Sequence, residues 1–205
     1  IGTHGAFHGY WMTDGSSLEP RFGTAKSWES LQRALQERQM VPVLDMVTNH
    51  VAPDSLLTRT HPDWFHGLGD VVDWSDPVER ITHDVHGLPD LAQERPGVAD
   101  HLIAQAKHWR SGAAPIRLDA VRHLPPDFVR RYRAALSSPG APAIIYGEIF
   151  EGNPVRLARE AERYGLDHSF DFPLHYALVD VFCRGGDARQ LATVLSADAS
   201  YAPGH

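Results

Sequence analysis

The ten residues 114–123, "APIRLDAVRH", decide the fold class. Pro115, Ile116, Leu118, Ala120 and Val121 read as a short apolar strand, yet the same stretch carries Arg117, Asp119, Arg122 and His123. A buried strand does not accept that much charge without a reason. Side chains two apart on a strand share a face, so Arg117 and Asp119 project together. Such a pair is either an internal ion pair that sets register or a device that keeps a carboxylate ionised for nucleophilic work.

Outward from this strand, three further segments read as buried strands: 41–47 ("VPVLDMV"), 143–149 ("AIIYGEI") and 168–174. Helical periodicity lies between them. Trp28, Leu31 and Leu35 share a face behind a Ser27 cap, and Val98, Leu102, Ala106 and Trp109 repeat before Gly112. Val129, Tyr132 and Leu136 follow Pro125 and Pro126, and 155–164 ends at Gly165, a residue suited to a C-terminal cap. Alternating strands and amphipathic helices indicate a parallel sheet covered by helices, either a (β/α)8 TIM barrel or an open doubly wound sheet. The glycine-rich phosphate turn of the second is absent. Three polar groups favour the barrel: Asp45 with Asn49 and His50; Asp119 with Arg122 and His123; and Glu148. Each falls at or just beyond the carboxyl end of a strand, where barrels build their chemistry.

Four strands make only part of a barrel, so the whole 1–205 chain reads as its central strands and helices. After the strand at 41–47, which stands third in the barrel on this reading, residues 51–97 form a connection far longer than usual, with "HPDWFHG" and "HGLPDLAQ" inside it. This reads as a small excursion domain over the rim.

A net charge of −7 and a pI of about 6.0 exclude a basic nucleic-acid footprint, and no apolar run reaches membrane-spanning length. The expected partners are small, neutral or polyhydroxylated molecules. One cysteine, Cys183, excludes an internal disulfide and any multi-cysteine metal site. Thirteen histidines and five tryptophans suggest a polar, aromatic-lined site. The chain begins at Ile1 without a signal pattern, so the compartment stays open.

Glu148 ends the strand after the one bearing Asp119, and its carboxyl is expected to enter the same mouth. One carboxylate held ionised and one carboxyl kept protonated are what retaining glycoside hydrolysis requires, at roughly 5 Å separation. Taken together, "DMVTNH" (45–50), "LPDL" (88–91), "IRLDAVRH" (116–123) and "GEIF" (147–150) stand in the order found in the alpha-amylase family of glycoside hydrolases and transglycosylases, which the chain resembles. "HGYW" (8–11), "RFGT" (21–24), "HPDWF" (61–65) and "FDFPL" (170–174) extend the resemblance over essentially the whole length.

The resemblance implies an alpha-glucan or maltooligosaccharide substrate, Asp119 as nucleophile, Glu148 as general acid and then base, and Arg117 as the partner that orients and ionises Asp119. It implies Tyr10 and His50 as sugar contacts before the cleaved bond, with Arg122 and His123 on the leaving-group side. Asp45 resembles the family's structural aspartate. Asn49, Asp90 and the main-chain carbonyl of His123 match positions that hold a structural calcium ion (Ca2+) in many members, and hard oxygen ligands suit that ion.

Some positions depart from the family pattern. Its third carboxylate, in an "NHD"-like motif, does not follow Glu148, so the chain by itself is expected to be catalytically incomplete. Ala92 stands where asparagine is common, Arg122 where lysine often precedes the histidine, and His86 where cyclising members carry a bulky aromatic. Hydrolysis is the leading expectation; glucan transglycosylation and a non-catalytic carbohydrate-binding homologue are the alternatives.

Overall fold

The structure of the protein, a computed structural model, is described over residues 2–3, 7–110 and 114–201. Strands β1 (Gly2–Thr3) and β2 (Met12–Asp14) form a small antiparallel pair. Helix α1 (Ala25–Glu37) and strand β3 (Leu44–Met46) follow, then the short helices α2 (Leu57–Thr60) and α3 (Glu79–Thr82). The chain continues through α4 (Pro96–Trp109), β4 (Ile116–Leu118), α5 (Pro126–Leu136), β5 (Ile145–Gly147), α6 (Pro154–Tyr164), β6 (His168–Ser169), α7 (Phe172–Arg184) and α8 (Arg189–Ser196). β3, β4, β5 and β6 form one parallel sheet in sequence order, the arrangement of a barrel sector. No helix among the described residues is long and apolar enough to cross a membrane.

The register explains the charges in the opening stretch. Asp45 lies beside Arg117, Arg117 beside Tyr146, and Tyr146 beside His168, a polar row across all four strands. The neighbouring rows, Leu44 with Ile116 and Ile145, and Met46 with Leu118, point the other way. Ile116, Leu118, Ile145 and Met46 are buried there against Leu102, Phe128, Val129, Tyr132 and Leu157 of the covering helices. Two requirements, an apolar outer face and a polar inner one, account for the mixed composition. Gly147 sits where a β-carbon would stand 2.3 Å from Leu166 Cδ1, so any larger residue there would make the Leu166 side chain shift.

The strands are shorter than the sequence pattern suggests. Ala120, with φ of 50°, turns the chain out of β4 into a 3-10 turn. At 168–174 only two residues pair; the Asp171 carboxylate then accepts from Leu174 N–H and Pro173 occupies the first turn, so 172–174 is helix, not strand. α1 is capped by Thr24, not Ser27; Ser27 closes the reciprocal half of a capping box. Gly165 takes the left-handed conformation that ends α6. Gly112 lies outside the described residues.

The 51–97 stretch is tied to the rim by a bridge between His50 and Asp90, and a bridge between Phe65 and Leu91 holds it together internally. Gln93 Nε2 also donates to the carbonyls of Thr48 and Asn49 at 3.0 and 3.2 Å.

Tyr132 is wholly buried, and among the described residues its hydroxyl has no hydrogen-bond partner. A buried unsatisfied hydroxyl costs stability. Tyr132→Phe is therefore expected to raise the unfolding free energy by roughly 1 kcal/mol, read from urea denaturation.

Candidate active site

Hydrogen bonds carry the sheet ladder beyond the assigned strands. Asp119 N–H donates to the Met46 carbonyl at 3.1 Å and Glu148 N–H to the Leu118 carbonyl at 3.1 Å. Asp119 and Glu148 thus stand two residues beyond Arg117 and Tyr146 on the same inner face, one layer nearer the rim. Arg117 reaches up beneath them. Its Nη1 donates to Asp119 Oδ1 at 2.7 Å and to Asp45 Oδ1 at 2.7 Å, and its Nη2 contacts Glu148 Oε1 at 2.5 Å. Gripped by the two terminal nitrogens of one planar guanidinium, the carboxyls of 119 and 148 are held within a few ångströms of each other.

Burial opposes the charge on Arg117, but its hydrogen bond to Asp45 and the surrounding carboxylates outweigh that and raise its pKa above the usual value. Asp119 behaves differently from expectation. Burial pushes its carboxyl up to about 7 despite Arg117, and the neighbouring Glu148 and Asp45 add to the rise. One guanidinium shared by three carboxylates does not hold Asp119 fully ionised at neutrality.

The backbone is strained beside this pair. Ala120 holds a left-handed conformation unusual for a residue with a β-carbon, and its N–H is thereby turned to Glu148 Oε2 at 3.3 Å.

Above the carboxyls opens a cavity of about 510 Å³, walled by Tyr10, Asn49, His50, Asp119, Arg122, His123 and Glu148. Arg117 does not line it, because its guanidinium is occupied below the floor. Tyr10 is fixed from beneath: its hydroxyl donates to Asp45 Oδ2 at 3.0 Å, and its ring centroid lies 5.4 Å from the Arg117 guanidinium carbon. His50 is buried, which lowers its pKa to about 4. The neutral ring donates from Nε2 to the acceptor-only Tyr10 carbonyl at 3.2 Å. The Arg122 guanidinium donates to the Phe150 carbonyl and to Glu151 Oε2, both at 2.9 Å, and so ties down the loop after β5. His123 Nδ1 donates to the Arg80 carbonyl at 2.8 Å, joining α3 to the rim.

Asp90 lies behind the cavity. Its Oδ2 meets His66 Nδ1 at 2.6 Å, and burial raises its carboxyl to about 7. Trp74, Arg80 and Phe150 also line the cavity, and the sequence pattern does not single them out. Phe150 was accessible, since it follows Glu148 by two positions; Trp74 and Arg80 belong to a stretch without periodicity and leave only an isolated aromatic as a signal.

The chain matches the family "Alpha amylase, catalytic domain" over residues 3–71. It is 31% identical to the beta/alpha-amylase of Paenibacillus polymyxa across 96% of this chain and 17% of that protein. It is 25% identical to a cyclomaltodextrin glucanotransferase of Klebsiella oxytoca across 84% of this chain and 32% of that one. The crystal structure of an alpha-amylase from Geobacillus thermoleovorans complexed with acarbose superimposes with a TM-score of 0.89 and 32% identity, covering 97% of this chain and 46% of that one. The chain thus spans less than half the length of each of these relatives. With that superposition over nearly its whole length and the match to the catalytic-domain family, the chain belongs to the alpha-amylase family of glycoside hydrolases and transglycosylases, spanning part of the barrel.

Proposed function

We propose that the full-length protein is a retaining enzyme that cleaves alpha-glycosidic bonds in alpha-glucans, with residues 1–205 as part of its catalytic barrel and 51–97 as an inserted excursion domain. The observation that carries this is the single guanidinium of Arg117 holding Asp119 and Glu148 together under one open cavity. A close pair suits covalent double displacement, at roughly 5 Å, better than the wider separation of inverting enzymes, which leaves room for a water.

In the first step Glu148 gives its proton to the glycosidic oxygen while an Asp119 oxygen attacks the anomeric carbon. The bond pair leaves with the glycosidic oxygen, and an ester to Asp119 forms. In the second, Glu148 takes a proton from an acceptor hydroxyl, which attacks the same carbon and releases Asp119. The productive form therefore has Asp119 charged and the proton of the pair on Glu148. Tyr10 offers its ring to the apolar face of the sugar before the cleaved bond and His50, hydrogen-bonded to the Tyr10 carbonyl, flanks the same sugar, with Arg122 and His123 on the leaving-group side.

Water as acceptor gives hydrolysis and a sugar gives transfer. The exposed rings of Trp74 and Phe150 over the cavity supply platforms on which a sugar acceptor would rest, so transfer is kept as a second reading. Separating the products of amylose, pullulan and maltotriose digestion by the full-length protein tests both. Shorter saccharides alone indicate hydrolysis, products longer than the substrate indicate transfer, and no conversion of any would contradict the proposal.

Asn49, Asp90 and the His123 carbonyl are the groups that would hold a calcium ion. One terminal atom of the Asn49 amide lies 2.7 Å from the His123 carbonyl oxygen and 3.2 Å from Asp90 Oδ1. If that atom is nitrogen, both contacts are hydrogen bonds, but the amide oxygen then turns towards His50 Nδ1. In the tautomer that donates to Tyr10, Nδ1 is also an acceptor. If it is oxygen, His50 is satisfied and three oxygens converge, with only a proton on Asp90, whose carboxyl burial raises to about 7, to relieve them. A bound cation removes the conflict, and an all-oxygen set suits calcium. When bound, the ion would supply charge that ties the excursion to the rim. Chelation is expected to lower the melting temperature of the full-length protein by several degrees, with recovery on adding calcium but not magnesium.

A further inference from the structure

Two arginines, Arg80 and Arg122, line the catalytic cavity. Only one of them is neutralised. Arg122 gives its terminal nitrogens to the Phe150 carbonyl and to Glu151 Oε2. Among the described residues the Arg80 side chain has neither a hydrogen bond nor an ion pair, and the Nε of both arginines is buried without a partner. A guanidinium carries several N–H donors and keeps its charge at any working pH, so Arg80 brings unmatched donors and an unmatched charge to the cavity wall.

Acidic residues surround Arg80 in the chain, yet none pairs with it. Asp70 accepts from Gly87 N–H at 2.7 Å, Asp76 from Val78 N–H at 2.7 Å and Asp84 from Asp90 N–H at 2.9 Å. Glu79, next to Arg80 in α3, accepts from Val72 and Asp73 N–H at 2.9 and 2.8 Å. Each of these carboxylates is turned to the backbone of its own stretch, which leaves the guanidinium for a ligand. Nor does Arg80 stand at an open edge of the sheet. Its carbonyl accepts from His123 Nδ1 in the turn after β4, and β4 lies between β3 and β5. This places it beside His123 on the leaving-group side. Arg122 is close by: burial raises the Tyr164 hydroxyl to about 12, and the charges of Arg80 and Arg122 both act on that one group against the rise.

We propose that Arg80, beside Arg122, receives a phosphate ester carried by the sugar on the leaving-group side of the cleaved bond. The proposal rests on the alpha-glucan reading and adds to it a substrate class, the phosphorylated glucan. A phosphate monoester offers charged oxygen acceptors to a planar fork of donors, and such charge-assisted bonds are stronger than those a guanidinium makes to neutral hydroxyls. Because Glu151 offsets the charge of Arg122, the attraction depends on Arg80.

Two measurements test this in the full-length protein and in its Arg80→Gln variant, which keeps an amide that can bind hydroxyls but lacks the charge. The first compares kcat/KM for maltotriose with kcat/KM for maltotriose phosphorylated on its reducing-end glucose. Wild type is expected to prefer the phosphorylated substrate about tenfold, and Arg80→Gln to lose that preference. No preference in wild type, or a parallel loss on both substrates in the variant, overturns the phosphate site. The second is calorimetric titration with inorganic phosphate at fixed ionic strength, which needs no turnover. Binding is expected to weaken about tenfold in Arg80→Gln, and equal binding by both proteins overturns the role of Arg80. A wild-type protein inactive on both maltotrioses would overturn the catalytic reading instead, and the titration would still decide whether Arg80 binds the anion.

Discussion

Asp119→Asn or Glu148→Gln in the full-length protein is expected to lower kcat on an alpha-glucan by on the order of 10³-fold or more, since each removes a bond-forming or proton-carrying atom. The two losses separate with a substrate whose leaving group needs no proton. An alpha-glucosyl fluoride should react with the Glu148→Gln variant far faster than a glucan does, because fluoride departs unassisted, and should remain inert to Asp119→Asn. Equal rescue of both variants would show that the roles are wrongly divided.

Asp119→Asn also carries a stability signature. The folded-state pKa of Asp119 is raised to about 7 from 3.8 by burial, with the nearby carboxylates adding to it. Its ionisation therefore costs nothing below the unfolded value and costs the full amount above the folded one. The asparagine variant should melt above wild type at pH 8, and the difference should shrink as pH falls from about 7 to about 4. A difference that grew towards acid would contradict the raised value.

Arg117→Leu is the second large effect. The guanidinium is the shared cation of Asp45, Asp119 and Glu148, and its side chain is only 13% exposed. Without it the carboxylates face one another with no opposing charge, and the two reacting groups lose the fork that spaces them. Activity should fall on the order of 10²-fold or more, and stability at pH 8 by about 3 kcal/mol. Because Arg117 lowers the Asp119 pKa against burial, its removal raises that pKa further, so the acid limb of kcat/KM should move to higher pH. Arg117→Lys should recover part of the stability but little of the activity, since an ammonium lacks the planar fork. An unmoved acid limb in Arg117→Leu would reduce Arg117 to a packing residue.

Sequence alone disclosed the architecture because the relevant signals are local. The polar inner and apolar outer faces of the sheet both appear in "IRL" and "LDM", three residues each, and the cap at Gly165 follows from a glycine at the end of a helical pattern, whereas the cap of α1 lies at Thr24, one turn before the Ser27 that the pattern points to. What it concealed depends on distance along the chain. That Arg117 divides itself among three carboxylates requires the register of three strands, and without that count the residues alone point to an ionised Asp119. The share of Trp74 and Arg80 in the cavity wall depends on how 51–97 folds back over the rim, which no periodicity encodes. The left-handed Ala120 was equally hidden, since nothing in an alanine announces a positive φ.

The most direct test of the covalent mechanism is to trap its intermediate. The full-length Glu148→Gln protein, incubated with a fluorinated alpha-glucosyl fluoride, should accumulate one added glycosyl mass, and digestion followed by mass spectrometry should place it on the peptide containing Asp119. Label on another carboxylate, or turnover that yields the inverted anomer with no adduct, would contradict it.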